Sequence, residues 1–354
     1  MLTFLIMAGG SGERFWPLSS KDKPKQFLSI FSDKPLIRKT YERVLPLVTP
    51  DRIFVSVNHH QVAGLKEILP ELKEENIIIE PAHRDTAAAV GYGSLIINKY
   101  FPDAAIAVLP SDHLIQDEAA FRKVLLTAER NALKGRIVTI GVKPDYPETG
   151  YGYIQSDYTR MNHAVKVKRF REKPSLEKAM EYLAEGGYLW NAGVFVFQYR
   201  IIMRSFRHHA KKHYAIFQEL ETLVAKNEGA KTAEEVLPLF KQFEKISIDY
   251  AVMEKSTSVY VVPASFGWND VGSYEAFDSL FPHDSRGNVT VNTNVYCVAS
   301  NGNIVISDEP NTQVCLLGLS DRVIAVSKGK VLVCSKSRTQ EIKKALLLMK
   351  NGGQ

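Results

Sequence analysis

The first 140 residues alternate apolar runs with amphipathic ones. The runs Thr3–Ala8, Arg52–Val57, Asn76–Glu80, Ala104–Leu109 and Arg136–Gly141 have the length and composition of buried strands. Between them, Pro35–Val48 sets Leu36, Ile37, Tyr41, Val44, Leu45 and Val48 mostly on one helical stripe, and Pro35 suits a first helical turn. Ala119–Leu133 repeats the pattern through Phe121, Val124, Leu125 and Ala128. This alternation predicts an α/β fold whose mostly parallel central sheet is covered on both faces. Ligands in such sheets bind beyond the carboxyl ends of the strands. The loops at 9–26, 81–86 and 110–113 all follow predicted strands, so they meet at that edge.

From about residue 145 to 200 the pattern changes to turns and short strands, which suits an insertion closing over a second substrate. Tyr199–Leu223 and Thr232–Lys245 read as helices. After Tyr274–Leu280 the character shifts again. The β-rich runs Asn303–Ser307, Gln313–Leu317, Arg322–Ser327 and Lys330–Ser335 recur at a spacing of about ten residues, and the amphipathic stretch Thr339–Met349 follows them. A boundary near residue 283 separates a small C-terminal β-rich domain, 283–354, from the larger one.

Composition narrows the class. The chain has 354 residues, 45% of them hydrophobic, enough for a sizeable core. No apolar stretch approaches the roughly 20 residues of a membrane helix, and no membrane partner is expected. The N-terminal run lacks a basic leader and breaks at Gly9–Gly10, as a strand does and a signal peptide does not. Cys297, Cys315 and Cys334 are odd in number and lack CxxC spacing, which argues against a disulfide framework or a zinc site and for a reducing, cytoplasmic setting. The net charge of +6 comes without a long Lys/Arg block. It suits an enzyme gathering small polyanions better than a nucleic-acid binder.

The stretch with the most chemistry is "MAGGSGERFWPLSSKDKPKQF", residues 7–27. It is not a dinucleotide fingerprint, because Phe15 stands where a third glycine is needed, and no G-K-[ST] makes it a Walker loop. What remains is G-G-x-G-x-R followed by P-K. Successive N–H groups in a glycine-rich turn form an anion-binding concavity. Arg14 can fork onto phosphate oxygens and Lys25 adds a compact point charge. A flexible surface loop with incidental cations is the alternative. Asp112, in "LPSDH", follows a predicted strand within reach of a triphosphate, and Asp270 lies in "WNDVG". Magnesium is commonly held by one or two carboxylates plus substrate phosphates, although a lone loop Asp also serves as a turn or cap residue. "RHHAKKH", 207–213, reads as a solvated helix face rather than a metal site.

The signature is joined, in order, by "EPAHRDTAAAV" (80–90), "PSDH" (110–113), "FREKP" (170–174), "WNAGVFVF" (190–197), "IDYAVMEK" (248–255) and "FGWNDVGSY" (266–274). Together these resemble the sugar-1-phosphate nucleotidylyltransferases over roughly residues 1–350. "WPLS" with "KPKQF" resembles the mannose-1-phosphate guanylyltransferase branch. The resemblance implies a Rossmann-like nucleotidyltransferase domain over 1–282, with a nucleotide part to about 145 and a sugar part from 146, and a β-helix-like C-terminal domain. It implies GTP and mannose 1-phosphate as substrates, GDP-mannose and diphosphate as products, and Mg²⁺ as cofactor. By the same carry-over Arg14 and Lys25 are catalytic. Ala8, Gly9, Gly10, Gly12, Glu80, Arg84, Thr86 and Ser111 bind the nucleotide, with Thr86 equally readable as a helix N-cap. Gly150 (in "PETGYGYI"), Glu172, Lys173, Asn191 and Gly193 bind the sugar phosphate; Asp112 and Asp270 hold the metal.

The sequence departs from the family where Asp85 stands, since Asn is commoner there, and in lacking a proline in the following small-residue run. A homodimer is expected as in relatives. Members that also isomerise mannose 6-phosphate carry a further C-terminal domain, so a single activity is expected here. Two rival readings remain: a relative taking another base or hexose, and a non-catalytic regulatory subunit that keeps the fold. Lys25, Asp112 and Asp270 are all present, which weighs against the second.

Overall fold

The computed structural model describes residues 1–10, 12–225, 233–309 and 311–350. Strands β1 (Leu2–Met7), β2 (Ile53–Asn58), β3 (Ile77–Glu80) and β4 (Ala105–Pro110) pair in parallel, in the spatial order β3-β2-β1-β4. A short β5 (Leu114–Ile115) is followed by β6 (Ile137–Val142), β7 (Tyr153–Gln155), β8 (Val165–Lys166) and β9 (Arg169–Arg171). β10 (Tyr188–Gln198), β11 (Val259–Ala264) and β12 (Trp268–Asn269) complete this part of the chain. β11 runs parallel to β6, so the predicted parallel character holds for most of the ten-stranded sheet.

β10 was not predicted. It is eleven residues long, lies between β4 and β6, and is antiparallel to both. Over about 145–200 the sequence predicts only turns and short strands, not one of this length. The register of β10 with β6 shifts between Asn191 and Phe195, a bulge in which Gly193 takes φ 66°. Because β10 runs against β4, its first half reaches the edge at which the parallel strands end. The carboxyl ends of β1, β3 and β4 therefore share one rim with Asn191 and Gly193.

Apolar residues alternate between two cores. On β1, Phe4 and Ile6 face one and Leu5 the other; on β4, Ala107 and Leu109 oppose Ile106 and Val108. One core is closed by α1 (Leu36–Val44), α2 (Val62–Ile68) and, later in the chain, Phe121, Val124 and Leu125. The other is closed by α3 (Asp85–Tyr100) and the helical region after residue 198. Following α4 (Glu118–Ala132) and α5 (Leu176–Glu185), the predicted helix from Tyr199 is two, α6 (Tyr199–His209) and α7 (Lys211–Ala225). The break is Ala210, whose φ of −141° and ψ of 63° lie outside the helical region. The helix predicted from Thr232 is α8 (Ala233–Phe240); residues 226–232 lie outside the described chain.

After α9 (Ala276–Leu280) come β13 (Val289–Val291), β14 (Asn294–Val298), β15 (Ile304–Ser307), β16 (Gln313–Leu317), β17 (Arg322–Ser327) and β18 (Lys330–Ser335). Successive runs alternate between two sheets: β13, β15 and β17 pair in parallel, as do β14 and β16, while β18 folds back antiparallel on β17. That alternation is the physical origin of the ten-residue spacing, and it is the β-helix-like arrangement. A 3₁₀ segment, Lys336–Glu341, leads into α10 (Ile342–Lys350). This unit shares a core with the opening loop. Phe15, Leu18, Leu28 and Ile30 pack with Tyr274 and Phe277 and with Val289, Ile304 and Val323.

α3 carries the small-residue run because it lies close to its neighbours. A Cβ on Gly91 would sit 2.0 Å from Cζ of Phe217 in α7, and one on Gly93 would meet the Leu5 side chain at 2.6 Å. Removing a mid-helix glycine would by itself favour the helix by about 1 kcal/mol. We nevertheless expect Gly91→Ala to lower the urea-unfolding free energy by about 1–3 kcal/mol through overpacking. An unchanged or raised stability would contradict this packing.

Candidate active site

The opening loop leaves β1 with its carbonyls already committed. Ala8 and Gly10 accept from the Gln26 amide, Gly10 also from Gln61 at 3.1 Å, and Gly9 from Asn58. Gly12 turns left-handed at φ 61°, and a Cβ there would lie 2.5 Å from the Lys25 nitrogen. Only glycine fits both the angle and the space. The turn thereby sets Lys25, which is 5% exposed, against two distant segments. Its Nζ donates to Asp112 Oδ2 at 2.9 Å and to the Asp270 carbonyl at 2.6 Å. Asp112 follows β4 and Asp270 follows β12, so one ammonium ties together the two residues predicted to hold metal, Asp112 through its carboxylate and Asp270 through its backbone carbonyl. Burial would raise the Asp112 carboxyl, but the Lys25 charge beside it holds it below the usual carboxylate range.

Each carboxylate gives one oxygen to the protein: Asp112 Oδ2 to Lys25 and Asp270 Oδ1 to the Tyr151 hydroxyl at 2.6 Å. Among the described residues no group of three or more His, Cys, Asp or Glu forms a metal cage. Two hard oxygen donors without a cage match an ion that completes its shell with phosphates and water, as magnesium does. His113 stays beside them, accepting from Trp268 Nε1 at 3.1 Å, and burial keeps its imidazole below the ordinary range.

A cavity of about 390 Å³ opens at the same rim. Its walls include Gly9, Gly10, Glu80, Thr86, Gly193 and Asp249. Glu80 is buried, accepts from Ser56 Oγ at 2.7 Å, and would meet a Cβ on Gly9 at 2.8 Å. Burial pushes its carboxyl up, and the Ser56 hydrogen bond opposes the shift. Thr86 is not the N-cap of α3. Its hydroxyl accepts from the Ile248 N–H at 2.9 Å, tying the helix start to the segment that carries Asp249. Asp85 takes φ 65°, a conformation tolerated by Asp and Asn, and its Oδ1 accepts from the Thr86 N–H. Ser111 is buried behind the rim, its N–H donating to Met7 O at 3.2 Å.

The sugar-side motifs meet beyond Gly193. Glu172 and Lys173 follow β9, with Lys173 left-handed at φ 47° and its ammonium 3.4 Å from Glu172 Oε1. Asn191 is fixed from both ends of its amide. Its oxygen accepts from Thr139 Oγ1 at 2.9 Å, and its nitrogen donates to Asp249 Oδ1 at 3.0 Å. Burial, with the Asp249 charge nearby, raises the Glu172 carboxyl to about 7; burial raises that of Asp249 to about 6. Tyr151 packs edge-on between Trp190 and Trp268, at ring distances of 5.3 and 5.0 Å.

Three predicted residues are not brought in. Arg14 reaches Gln340 Oε1 at 3.4 Å, toward the C-terminal unit. Arg84 donates to the Lys241 carbonyl at 2.7 Å. Gly150 is exposed, its N–H held by Glu148; Gly152 makes the close approach instead, where a Cβ would lie 2.5 Å from Glu172 Oε2. His213 corrects the solvated-face reading of 207–213. It is buried, 5.3 Å from the Phe243 ring and 3.1 Å from the Glu244 carbonyl. Sequence reading assigned nothing to Asp249, Tyr151 or Gly152. All three lie in quoted motifs, "IDYAVMEK" and "PETGYGYI", but only the folded arrangement singles them out.

The signature loop is clamped from behind by Tyr274, whose hydroxyl donates to the Phe15 and Trp16 carbonyls at 3.0 and 3.2 Å. Tyr274→Phe is expected to cost about 1–2 kcal/mol in urea unfolding. Amide hydrogen exchange should accelerate in residues 13–19 before it does elsewhere. Unchanged exchange there would show that the clamp does not hold the loop.

The nucleotidyl transferase family model matches residues 3–286, and the MannoseP isomerase/GMP-like beta-helix domain matches residues 293–347. A mannose-1-phosphate guanylyltransferase of Klebsiella pneumoniae is 35% identical over 356 residues, 99% of this chain and 74% of that protein. Xanthan biosynthesis protein XanB of Xanthomonas campestris pv. campestris is 35% identical over 361 residues, 99% of this chain and 73% of that protein. A crystal structure from Thermus thermophilus, described as a mannose-1-phosphate geranyltransferase, is 36% identical and superposes with a TM-score of 0.86 over 99% of both chains.

Proposed function

The chain belongs to the nucleotidyl transferase family, and from that membership we propose that it is a mannose-1-phosphate guanylyltransferase. It joins GTP and α-D-mannose 1-phosphate into GDP-mannose and diphosphate. The observation that carries the reading is the shared rim. The cavity walled by Gly9, Gly10 and Glu80 also touches Gly193 and Asp249, and Asn191 holds Asp249 on the side of Glu172.

The nucleotide takes that cavity. With the carbonyls of Ala8, Gly9 and Gly10 turned to side-chain amides, phosphate meets N–H groups rather than oxygens. Glu80, an acceptor when ionised, suits guanine, whose N1–H and exocyclic amine present two donors on one edge. A pyrimidine such as uracil offers a carbonyl on either side of its N–H and would be repelled. The mannose hydroxyls face Glu172 and Asn191, and Lys173 offers its charge to the sugar phosphate.

The reaction forms a bond from a mannose 1-phosphate oxygen to the α-phosphorus of GTP and breaks the bond from that phosphorus to the departing diphosphate. A phosphate monoester is largely ionised at neutral pH, with a second pKa near 6. No general base is required, so catalysis is positioning and charge neutralisation. Lys25 supplies a fixed positive charge at the rim where the two anions crowd. Asp112 and Asp270 would hold magnesium, which supplies further neutralisation across the reacting phosphates. Arg14, oriented toward Gln340, would have to swing to join them.

A panel of nucleoside triphosphates and hexose 1-phosphates, read by diphosphate release, tests the assignment. GTP with mannose 1-phosphate and Mg²⁺ should turn over fastest. No turnover with that pair, but clear turnover with UTP or dTTP and glucose 1-phosphate, would overturn it. Lys25→Ala should lower kcat by roughly 10²–10³ in protein that circular dichroism shows to be folded at the assay temperature, and a wild-type rate would remove its role. Glu80→Gln should erode the preference for GTP over other triphosphates; an unchanged preference would place base selection elsewhere.

A further inference from the structure

The two residues proposed to hold magnesium are fixed by different means. Lys25 Nζ donates to the Asp112 carboxylate itself, but at Asp270 it takes only the backbone carbonyl. A carbonyl contact fixes the main chain and leaves the carboxylate plane free, because the terminal torsion of Asp is broad. The main chain there is held under strain. Val271, fully buried in the core shared with Phe15 and Tyr274, takes φ 50° and donates its N–H to Asn269 Oδ1 at 2.7 Å. A left-handed β-branched residue is a genuine outlier, and such strain persists only where the surroundings over-determine the site.

The carboxylate plane is set by Tyr151, 119 residues earlier in the chain, just before β7. Its hydroxyl donates to Asp270 Oδ1 at 2.6 Å, the length of a charge-assisted hydroxyl–carboxylate bond. Trp190 and Trp268 stand edge-on to its ring, and its carbonyl accepts from the Lys173 N–H at 3.2 Å, so both ends of the residue are anchored. With Oδ1 occupied, Oδ2 is the oxygen left to bind a ligand. Among the described residues nothing donates to it. Gly272 also puts no side chain beside it, where a Cβ would lie 3.1 Å away.

We propose that Tyr151 is a positioning residue for metal binding: its hydroxyl holds the Asp270 carboxylate in the orientation that presents Oδ2 to a divalent cation. Tyr151 acts through Asp270 and supplies no ligand of its own. Hydrogen-bond partners of this kind orient a ligating carboxylate, and losing one typically costs roughly 10–100-fold in metal affinity. This proposal rests on the reading of Asp112 and Asp270 as magnesium-holding residues given above.

Electron paramagnetic resonance of free Mn²⁺ tests it, with the ion titrated into the intact protein saturated with GDP-mannose and into GDP-mannose alone. The wild-type complex should hold Mn²⁺ more tightly than the free nucleotide sugar does. Tyr151→Phe deletes one oxygen and keeps the ring between the two tryptophans. It should weaken the protein-dependent Mn²⁺ binding by roughly tenfold or more. Its affinity for GDP-mannose in EDTA, read by titration calorimetry, should stay at the wild-type value. That split separates positioning from packing, since a loosened pocket would lose both. In an Asp270→Asn background the same change should have no further effect, because it acts through that carboxylate. An unchanged Mn²⁺ affinity in Tyr151→Phe, or an equal further loss in the Asp270→Asn background, would overturn the role while the guanylyltransferase reading stands. A parallel loss of metal-free GDP-mannose binding, or a circular dichroism spectrum unlike the wild type, would overturn it too, by making Tyr151 a packing residue. No Mn²⁺ binding beyond that of GDP-mannose alone in the wild type would instead refute the metal reading, and this proposal with it.

Discussion

A buried ammonium holds three remote parts of this chain at one point. Lys25 lies 87 residues from Asp112 and 245 from Asp270, yet its Nζ touches both. A lysine left charged and unpaired in such a place would be strongly destabilising, and breaking a buried pair from one side typically costs about 3–5 kcal/mol. The fold therefore has to deliver an acidic partner there. The parallel sheet does so by ending β4 at Pro110, two residues before Asp112. The short pairing of β5 with β12 delivers Asp270 from the far side. Gly12, with no side chain, is what lets Lys25 fit beneath the loop.

The same constraint gives the C-terminal unit a part in the site. Phe15 and Leu18, which sit between Gly12 and Lys25 in the sequence, are buried in a core built largely by Tyr274, Phe277 and the first face of the β coils. Removing that unit would expose the apolar underside of the signature loop. Lys336 pairs with Asp278 at 2.8 Å and Thr339 donates to Glu275 at 3.0 Å, adding polar ties across the same seam. The loop is thus fixed from the front by charge and from behind by packing.

What could be read from the sequence follows from the physical demand on each residue. The glycines and cations of the first loop suit phosphate chemistry in themselves, so the loop around Lys25 stood out, whereas Asp112 and Asp270, as lone loop carboxylates, were singled out only by the ordered family motifs. Five of the parallel-sheet runs were legible from continuous apolar character. β10 was not, since Asn191 and Gly193 interrupt its apolar run at the bulge and the region reads as turns and short strands. Arg14 looked like a ligand because a guanidinium suits phosphate, and Arg84 through its place in the "EPAHRDTAAAV" motif, but an amide oxygen and a carbonyl oxygen engage them in this conformation. Asp249 was silent for the opposite reason. Nothing in "IDYAVMEK" distinguishes its aspartate until a π turn and Asn191 bring it to the cavity wall.

A double-mutant cycle on Lys25→Met and Asp112→Asn, followed by urea unfolding, tests most directly whether this charge pair assembles the site. Each single change leaves a partner stranded, so the double variant should be less destabilised than the sum of the two by about 1.5 kcal/mol or more. Effects that add to within about 0.5 kcal/mol would contradict the account, because independent sites behave that way.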